Sequence, residues 1–391
     1  MTGFHLPPIL FKQCVTGQLF GLNSFVFLLF SIGLYFYTIT KYNDYNQIID
    51  KCNTFVCQKN RKMNTVKGIV RTKGGKEFST MKIQDIESQK TQSGELKLKM
   101  VSSRINPVDM DLMKGFPTLK YKNPQIGGMD GAGIVIEVGQ GIKDFAIGDK
   151  VLFYRLFSDI GTWAEEITIP ANYCAKIPNN IDIKEAGTIA LPLLTAYDSL
   201  TQLKPNKGEK ILIHGVGGGV GFQALQVAKQ MGLFVIGTGS QTDKMILDKA
   251  GLDQFIDYKS QDFSQVLKTK EVDYVFDVLG DDILKMSIAL QPKKIVSLKF
   301  VDTSNMHKAG VNLPGIMKWL MKMMMNKFVK LAKKNNVELI GQVTGANGKM
   351  LQKAVDLLSV NYISRNFKSL SLEDISANGL TKNDVGKVII F

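Results

Sequence analysis

The stretch Lys210–Ser240, KILIHGVGGGVGFQALQVAKQMGLFVIGTGS, constrains the fold more than any other part of the chain. Its opening run, Ile211-Leu212-Ile213, is short and apolar, the pattern of a parallel strand buried on both faces. Glycines cluster behind it at Gly215, Gly217, Gly218, Gly219 and Gly221. Val220, Ala224, Leu225, Val227, Ala228 and Met231 then recur at helical spacing, and Leu233 to Thr238 read as a second strand. Strand, glycine turn, helix and strand together make a dinucleotide-binding unit. Residues without a Cβ let the backbone approach a pyrophosphate, and the helix start offers free N–H groups and the positive end of its dipole. The spacing here is G-x-x-G-x-x-G through Gly215, Gly218 and Gly221, with Val216 departing from the strict G-x-G-x-x-G.

The end of the second strand bears on which dinucleotide binds. Units that bind NAD place an acidic residue there for the ribose hydroxyls. This chain has Thr238-Gly239-Ser240, with Lys244 beyond and Asp243 partly offsetting it. A hydroxyl and an ammonium suit a 2′-phosphate that a carboxylate would repel. The residues favour NADPH.

With 391 residues, two domains are expected, and 45% apolar residues suffice for sizeable cores. The net charge is +14; residues 1–62 hold six Lys/Arg against two Asp, so the remainder still carries about +10. No nucleic-acid module accompanies this charge, which points to an anionic cofactor or a membrane surface. Four cysteines, Cys14, Cys52, Cys57 and Cys174, make no disulfide framework and fit a reducing compartment.

From Gln13 to Thr40 no residue is charged, and Leu19–Ile39 is apolar enough for a transmembrane helix. Lysines and arginines from Lys41 to Lys62, against Lys12 before the run, would hold the following domain on the cytoplasmic side. An equal alternative is that Met63-Asn-Thr-Val-Lys-Gly-Ile-Val is the natural start of an enzyme, which would then be cytoplasmic, and residues 1–62 an upstream extension. A mitochondrial address also stays open.

From Val66 to about Ala186, short apolar runs are separated by glycine and proline, which argues a β-rich, barrel-like domain. Ala186–Leu203 reads as a helix ending before Pro205. Six motifs then stand in order. They are Asn106-Pro107-Val108-Asp109, Gly128-x-Asp130-Gly131-Ala132-Gly133-x-Val135, Phe145-x-x-Gly148-Asp149-x-Val151, Gly161-Thr162-Trp163-Ala164-Glu165, Leu191-Pro-Leu-Leu-Thr195-Ala-Tyr197 and His214–Gly221. This series resembles the zinc-lacking quinone oxidoreductase (zeta-crystallin-like) branch of the medium-chain dehydrogenase/reductase superfamily, from about Met63 to Phe391.

The resemblance implies an α/β fold in which a Rossmann doubly wound parallel sheet is inserted in a β-rich GroES-like catalytic domain. The expected divisions are an N-terminal extension 1–62, a GroES-like domain 63–188, a Rossmann domain 189–345 and a return to the first domain over 346–391. It also implies NADPH-dependent reduction of quinones or activated alkenes, with the pyrophosphate against Gly217–Gly221. Ser240, Lys244 and Tyr258 would surround the adenosine phosphate, and Asp277-Val278-Leu279-Gly280 would lie near the nicotinamide ribose. Thr195 would sit beside the nicotinamide, with Asn106 and Asp109 on the substrate side. Relatives of this branch are often dimers, so a homodimer is expected.

Departures from the branch matter too. Met129-Asp130 replaces the His-Glu pair of zinc-dependent relatives, and His5, His214 and His307 lack ligand spacing, so no zinc is expected. Met110–Phe116 lacks the branch's usual tyrosine, and Gln291-Pro292-Lys293-Lys294 replaces a glycine turn. Met317–Asn335 is basic and methionine-rich, and three readings stay open: a membrane-surface helix, a lid over a hydrophobic substrate, or a partly packed helix. The expected function is an NADPH-dependent, zinc-independent reductase of quinones or α,β-unsaturated carbonyls. The alternatives are an enoyl-thioester reductase or a membrane-attached NADPH-binding protein with little turnover.

Overall fold

Ile211, Leu212 and Ile213 are fully buried in strand β9 (Lys210–His214), the centre of a six-stranded parallel sheet. The computed structural model describes residues 64–71, 80–113, 125–158 and 161–391. The chain divides into two units, Met1–Met63 and Asn64–Phe391, and all described residues belong to the second. The apolar run 19–39 lies outside them. No helix among the described residues is long and apolar enough to cross a membrane.

The N-terminal lobe is antiparallel. It comprises β1 (Thr65–Arg71), β2 (Met81–Glu87), β3 (Glu95–Arg104), helix α1 (Pro107–Met113), β4 (Gln125–Ile126), β5 (Asp130–Val138), β6 (Lys150–Tyr154), β7 (Glu166–Pro170) and β8 (Cys174–Lys176). Leu96, Leu98 and Met100 alternate into the core from β3, as a period of two requires. That strand pairs with both β5 and β7, and its register with β5 shifts between Lys97 and Leu98, where β5 holds the extra residue, and between Met100 and Ser102, where β3 does. Such irregularities bend the strands and increase their local twist.

Helix α2 (Ile183–Leu203) joins the lobes. It begins three residues earlier than the sequence pattern predicts because the Asp182 carboxylate caps it, accepting from Lys184 N at 2.8 Å. The boundary expected at 188/189 therefore falls inside a helix that both lobes share. Pro192 lies in its interior, where a proline disturbs the preceding turn. The Leu191 N–H there bonds to the Asp130 carboxylate at 3.0 Å.

Beyond β9 the chain alternates helix and strand through α3 (Gly219–Gln230), β10 (Phe234–Gly239), α4 (Lys244–Lys249), β11 (Gln254–Asp257), α5 (Phe263–Val266), β12 (Tyr274–Asp277), α6 (Asp281–Ala289), β13 (Lys294–Ser297), α7 (Gly315–Lys334) and β14 (Glu338–Gly341). The strand order β11-β10-β9-β12-β13-β14 is that of a doubly wound sheet, and sheets of this kind bind ligands where the order reverses, here beside β9. Helix α8 (Gly348–Ser359) returns the chain to the first lobe, followed by β15 (Ser369–Ser371), α9 (Leu372–Asn378) and β16 (Val388–Ile390). Strand β16 pairs with β3, so the C-terminus completes the N-terminal sheet. Gln291, where the branch has a glycine turn, adopts φ +55°, the left-handed conformation that glycine takes without strain.

Candidate functional site

The turn after β9 is shaped for close approach. Gly215 has φ +64°, and Gly218 N donates to the Gly215 carbonyl at 2.9 Å. A Cβ on Gly221 would overlap that carbonyl, so only glycine lets α3 start this close to the strand. Val216 departs from the usual pattern because its side chain is fully buried, filling the space beneath Gly237 of β10, where a Cβ would come within 2.7 Å. Phe222 N finds the first helical acceptor, Gly218 O at 2.9 Å. The N–H groups of Gly219, Val220 and Gly221 therefore lack intrahelical acceptors and lie at the positive end of α3.

Ser240 and Tyr258 follow Gly239 and Asp257, which are paired neighbours on β10 and β11. Tyr258 is 62% exposed, and Ser240 Oγ receives the Thr242 hydroxyl at 3.1 Å. Lys244 pairs with Asp248 at 2.5 Å, one helical turn on, and lies over the Phe255 ring. Asp243 instead turns toward the glycines: a Cβ on Gly217 would overlap its carboxylate. Arg365, from the segment after α8, donates to Asp243 Oδ1 at 2.7 Å and to the Gly217 carbonyl, and lies over the Phe222 ring.

On the other side of the turn, a Cβ on Gly215 would stand against the side chains of Val278 and Leu279. Asp277 is fully buried and saturated: its Oδ1 accepts from Leu279 N at 2.9 Å and Gly280 N at 3.0 Å, and its Oδ2 from Ser297 Oγ at 2.6 Å. It fixes the turn whose Gly280 has φ +78°, while Leu279 is left half exposed.

Asn106, Asp109 and Asp130 form one buried network. Asn106 Nδ2 donates to Asp130 Oδ1 at 2.9 Å, and its backbone N–H to Asp109 Oδ2 at 2.6 Å. Ser103 and Thr162 hydroxyls hold the Asp130 carbonyl at 2.6 and 2.9 Å. Burial raises the Asp130 pKa to about 7, against the opposing hydrogen bonds and the Arg104 charge. Burial, then repulsion from Asp130, also raises Asp109 well above the carboxylate range. Asn106 thus spends its amide on the scaffold. Thr195 is buried on α2, where its carbonyl accepts from Ser199 Oγ at 2.7 Å.

Arg104 links this network to the glycines. Its Nη2 lies 3.2 Å from where a Cβ on Gly219 would stand, and burial lowers its pKa while Asp130 opposes the shift. A cavity of about 350 Å³ opens between Gly217–Gly219 and the C-terminal segment, lined also by Arg104, Arg365, Lys368 and Lys387. Arg365 is engaged by Asp243 and Lys387 by Asp384 at 2.6 Å, and together with Arg104 and Lys368 they surround a helix start whose N–H groups lack acceptors, an arrangement that suits a pyrophosphate. Tyr362 closes one wall, and its pKa is raised by burial and by the nearby Glu185 carboxylate.

Arg104 and Lys387 flank recognisable motifs, Asn106–Asp109 and the terminal strand, and could have been singled out from the sequence on that ground. Arg365 carries no such signal, because tertiary folding alone brings it to Gly217. His214 bridges Thr238 Oγ1 at 3.1 Å and Ser287 Oγ at 2.9 Å, and burial lowers its pKa to about 4, leaving it a neutral core residue. Among the described residues, no three His, Cys, Asp or Glu side chains stand together as metal ligands.

Comparison with known proteins agrees with this architecture. Residues 92–179 match the family described as Alcohol dehydrogenase GroES-like domain, and residues 219–294 the family described as Zinc-binding dehydrogenase. Quinone oxidoreductase of Rattus norvegicus is 30% identical over 224 residues, covering 56% of this chain and 67% of the relative. The Synaptic vesicle membrane protein VAT-1 homolog of Homo sapiens is 33% identical over 194 residues, and the match spans 48% of each chain, about half the length of that relative. The solved quinone oxidoreductase of Coxiella burnetii superposes with a TM-score of 0.69 at 26% identity, covering 84% of this chain and all of that one. With both lobes, the strand order and the glycine turn in agreement, the chain belongs to the medium-chain dehydrogenase/reductase superfamily of oxidoreductases.

Proposed function

We propose that this oxidoreductase is NADPH-dependent and zinc-independent, and that it reduces quinones or α,β-unsaturated carbonyls. The observation that carries the proposal is the cationic cavity over Gly217–Gly219, which is built from both lobes. Bound NADPH supplies the hydride to an electron-poor carbon. In this reading the N–H groups of Gly219, Val220 and Gly221 receive the pyrophosphate, and Arg104 and Lys387 neutralise it from the opposite lobe. Ser240 and Lys244 hold the 2′-phosphate, with Tyr258 against the adenine. Leu279 and Gly280 form the wall behind the ribose, held by Asp277, and Thr195 stands on the nicotinamide side.

Asn106 and Asp109 act from behind, fixing Arg104 and the first turn of α1 through Asp130. Similarity to quinone oxidoreductases supports the quinone class. Water exclusion in the cleft strengthens each hydrogen bond to the oxygen where charge develops. Attachment through residues 19–39 with the reductase facing the cytoplasm, and assembly as a homodimer, belong to the same reading.

Likeness to a protein named for a vesicle membrane supports a second reading, a membrane-attached cofactor-binding protein with little turnover. Both readings meet in one experiment. The full chain is assayed for NADPH oxidation with a panel of quinones and enones, with NADH in parallel and cofactor binding measured by fluorescence. Turnover with NADPH supports the reductase. Binding without turnover on any acceptor moves the function to the second reading, and absence of binding overturns both.

A further inference from the structure

Helix α7 has two apolar stripes, and the fold uses only one. Phe328 and Ala332 are buried, and Met317, Met321 and Met325 on the same side pack against neighbouring clusters, including Met306, Val311 and Leu313. The opposite stripe consists of Ile316, Trp319, Leu320, Met323 and Met324, at offsets 0, 3, 4, 7 and 8, and every one of these side chains is exposed. Contiguous apolar surface of this kind marks an interaction site. The helix also carries six lysines and no acidic residue. On the outer side, Lys327, Lys330 and Lys334 continue the line of the apolar stripe toward the C-terminus, with Lys318 and Lys322 along one flank.

We propose that the outer face of α7 docks on an anionic lipid bilayer. The charge chooses the occupant. A symmetric contact with a second copy would set one lysine-rich face against another, which like-charge repulsion disfavours. An anionic membrane offers acyl chains for Ile316, Leu320 and the methionines, an interface for the Trp319 indole, and phosphates for the lysines, whose aliphatic stems cover further apolar surface. The six-lysine helix thereby selects charged over neutral lipid. This surface is separate from the cavity at Gly217–Gly219, and the inference stands whether or not the reductase reading does.

The chain holds two tryptophans, and Trp163 is fully buried while Trp319 is 56% exposed, so Trp319 fluorescence reads the helix directly. The full chain is titrated with vesicles of phosphatidylcholine alone and with vesicles also containing phosphatidylserine. The expected result is a blue shift and quenching by brominated lipid on the anionic vesicles only, both abolished by Trp319→Phe. Replacing Lys318, Lys322 and Lys330 with Gln should lower the apparent affinity read by the Trp319 blue shift about fivefold for each lysine removed. Emission from Trp163 in the Trp319→Phe protein reports that the fold is intact. An unchanged Trp319 spectrum on anionic vesicles overturns the proposal, as does an equal Trp319 blue shift on neutral ones. Emission already blue-shifted without lipid also overturns it, because residues 1–63 or a second copy would then cover the face.

Discussion

The Arg365 guanidinium sits 2.7 Å from the Asp243 carboxylate while also donating to the Gly217 carbonyl, so the acid nearest the glycine turn is neutralised from the far end of the chain. An unneutralised Asp243 would repel a 2′-phosphate and attract ribose hydroxyls. Arg365→Gln is expected to weaken NADPH binding about tenfold, equivalent to about 1.4 kcal/mol, and NADH binding much less. Adding Asp243→Asn should recover most of the NADPH loss. Dissociation constants for both cofactors check this; equal weakening of the two would place the arginine on the shared pyrophosphate instead.

Two glycines of the turn should respond in opposite ways to a side chain. Gly218 is the N-cap of α3 with φ −78° and ψ 172°, a backbone that any residue adopts, and a Cβ there would stand 3.2 Å from the Gly215 carbonyl oxygen, a tight contact that a small backbone shift relieves. Gly218→Asp is expected to leave Tm near the wild-type value, the gain from an aspartate cap offsetting the tight contact with the Gly215 carbonyl, yet to abolish cofactor binding by placing a carboxylate in the anion cradle. Gly221→Val should lower stability by roughly 1–3 kcal/mol, because its Cβ overlaps the Gly215 carbonyl. Melting curves together with cofactor titrations separate the two effects.

Asp130 should impose a pH dependence on stability. Its pKa in the fold is raised from 3.8 to about 7, so between those values the folded state binds a proton that the unfolded state has released. Its contribution is greatest below about pH 4 and is lost as pH rises through 7, a loss on the order of a few kcal/mol. His214 works the other way between 6.5 and about 4, because its lowered pKa costs stability as pH falls. The difference between wild type and Asp130→Asn reports this carboxylate together with its repulsion of Asp109: urea midpoints from pH 4 to 8 should fall with pH in the wild type relative to the variant. Parallel profiles would assign the pH dependence elsewhere.

Gln291 holds φ +55° where a glycine would be relaxed. Gln291→Gly should stabilise the protein by up to about 1 kcal/mol, the relief of left-handed strain exceeding the added chain entropy. Denaturant midpoints at constant slope provide the check.

The parallel sheet was legible because strands buried on both faces must be apolar runs, and Ile211–Ile213 and Tyr274–Phe276 are such runs. The basic helix was legible in extent, predicted at Met317–Asn335 and found at Gly315–Lys334. Asn106 reads in the sequence as a residue facing substrate, yet its side-chain N–H donates to Asp130, because residues 24 positions apart meet only once β3 pairs with β5. Arg365 was invisible for a stronger reason of the same kind. Its partners Gly217 and Asp243 lie 148 and 122 residues away, and no local pattern encodes a contact at that range.

Helix α2 has a consequence for how the molecule comes apart. A single hydrophobic cluster runs from Met129, Leu152 and Ala175 of the antiparallel lobe, through Ala186, Leu193 and Leu200 of the helix, to Ile211, Phe222 and Val227 of the parallel one. Two lobes joined by a flexible linker would melt separately, whereas here neither can expose its interior without stripping the other of core. Residues 64–391 are therefore expected to denature in one cooperative heat-absorption peak.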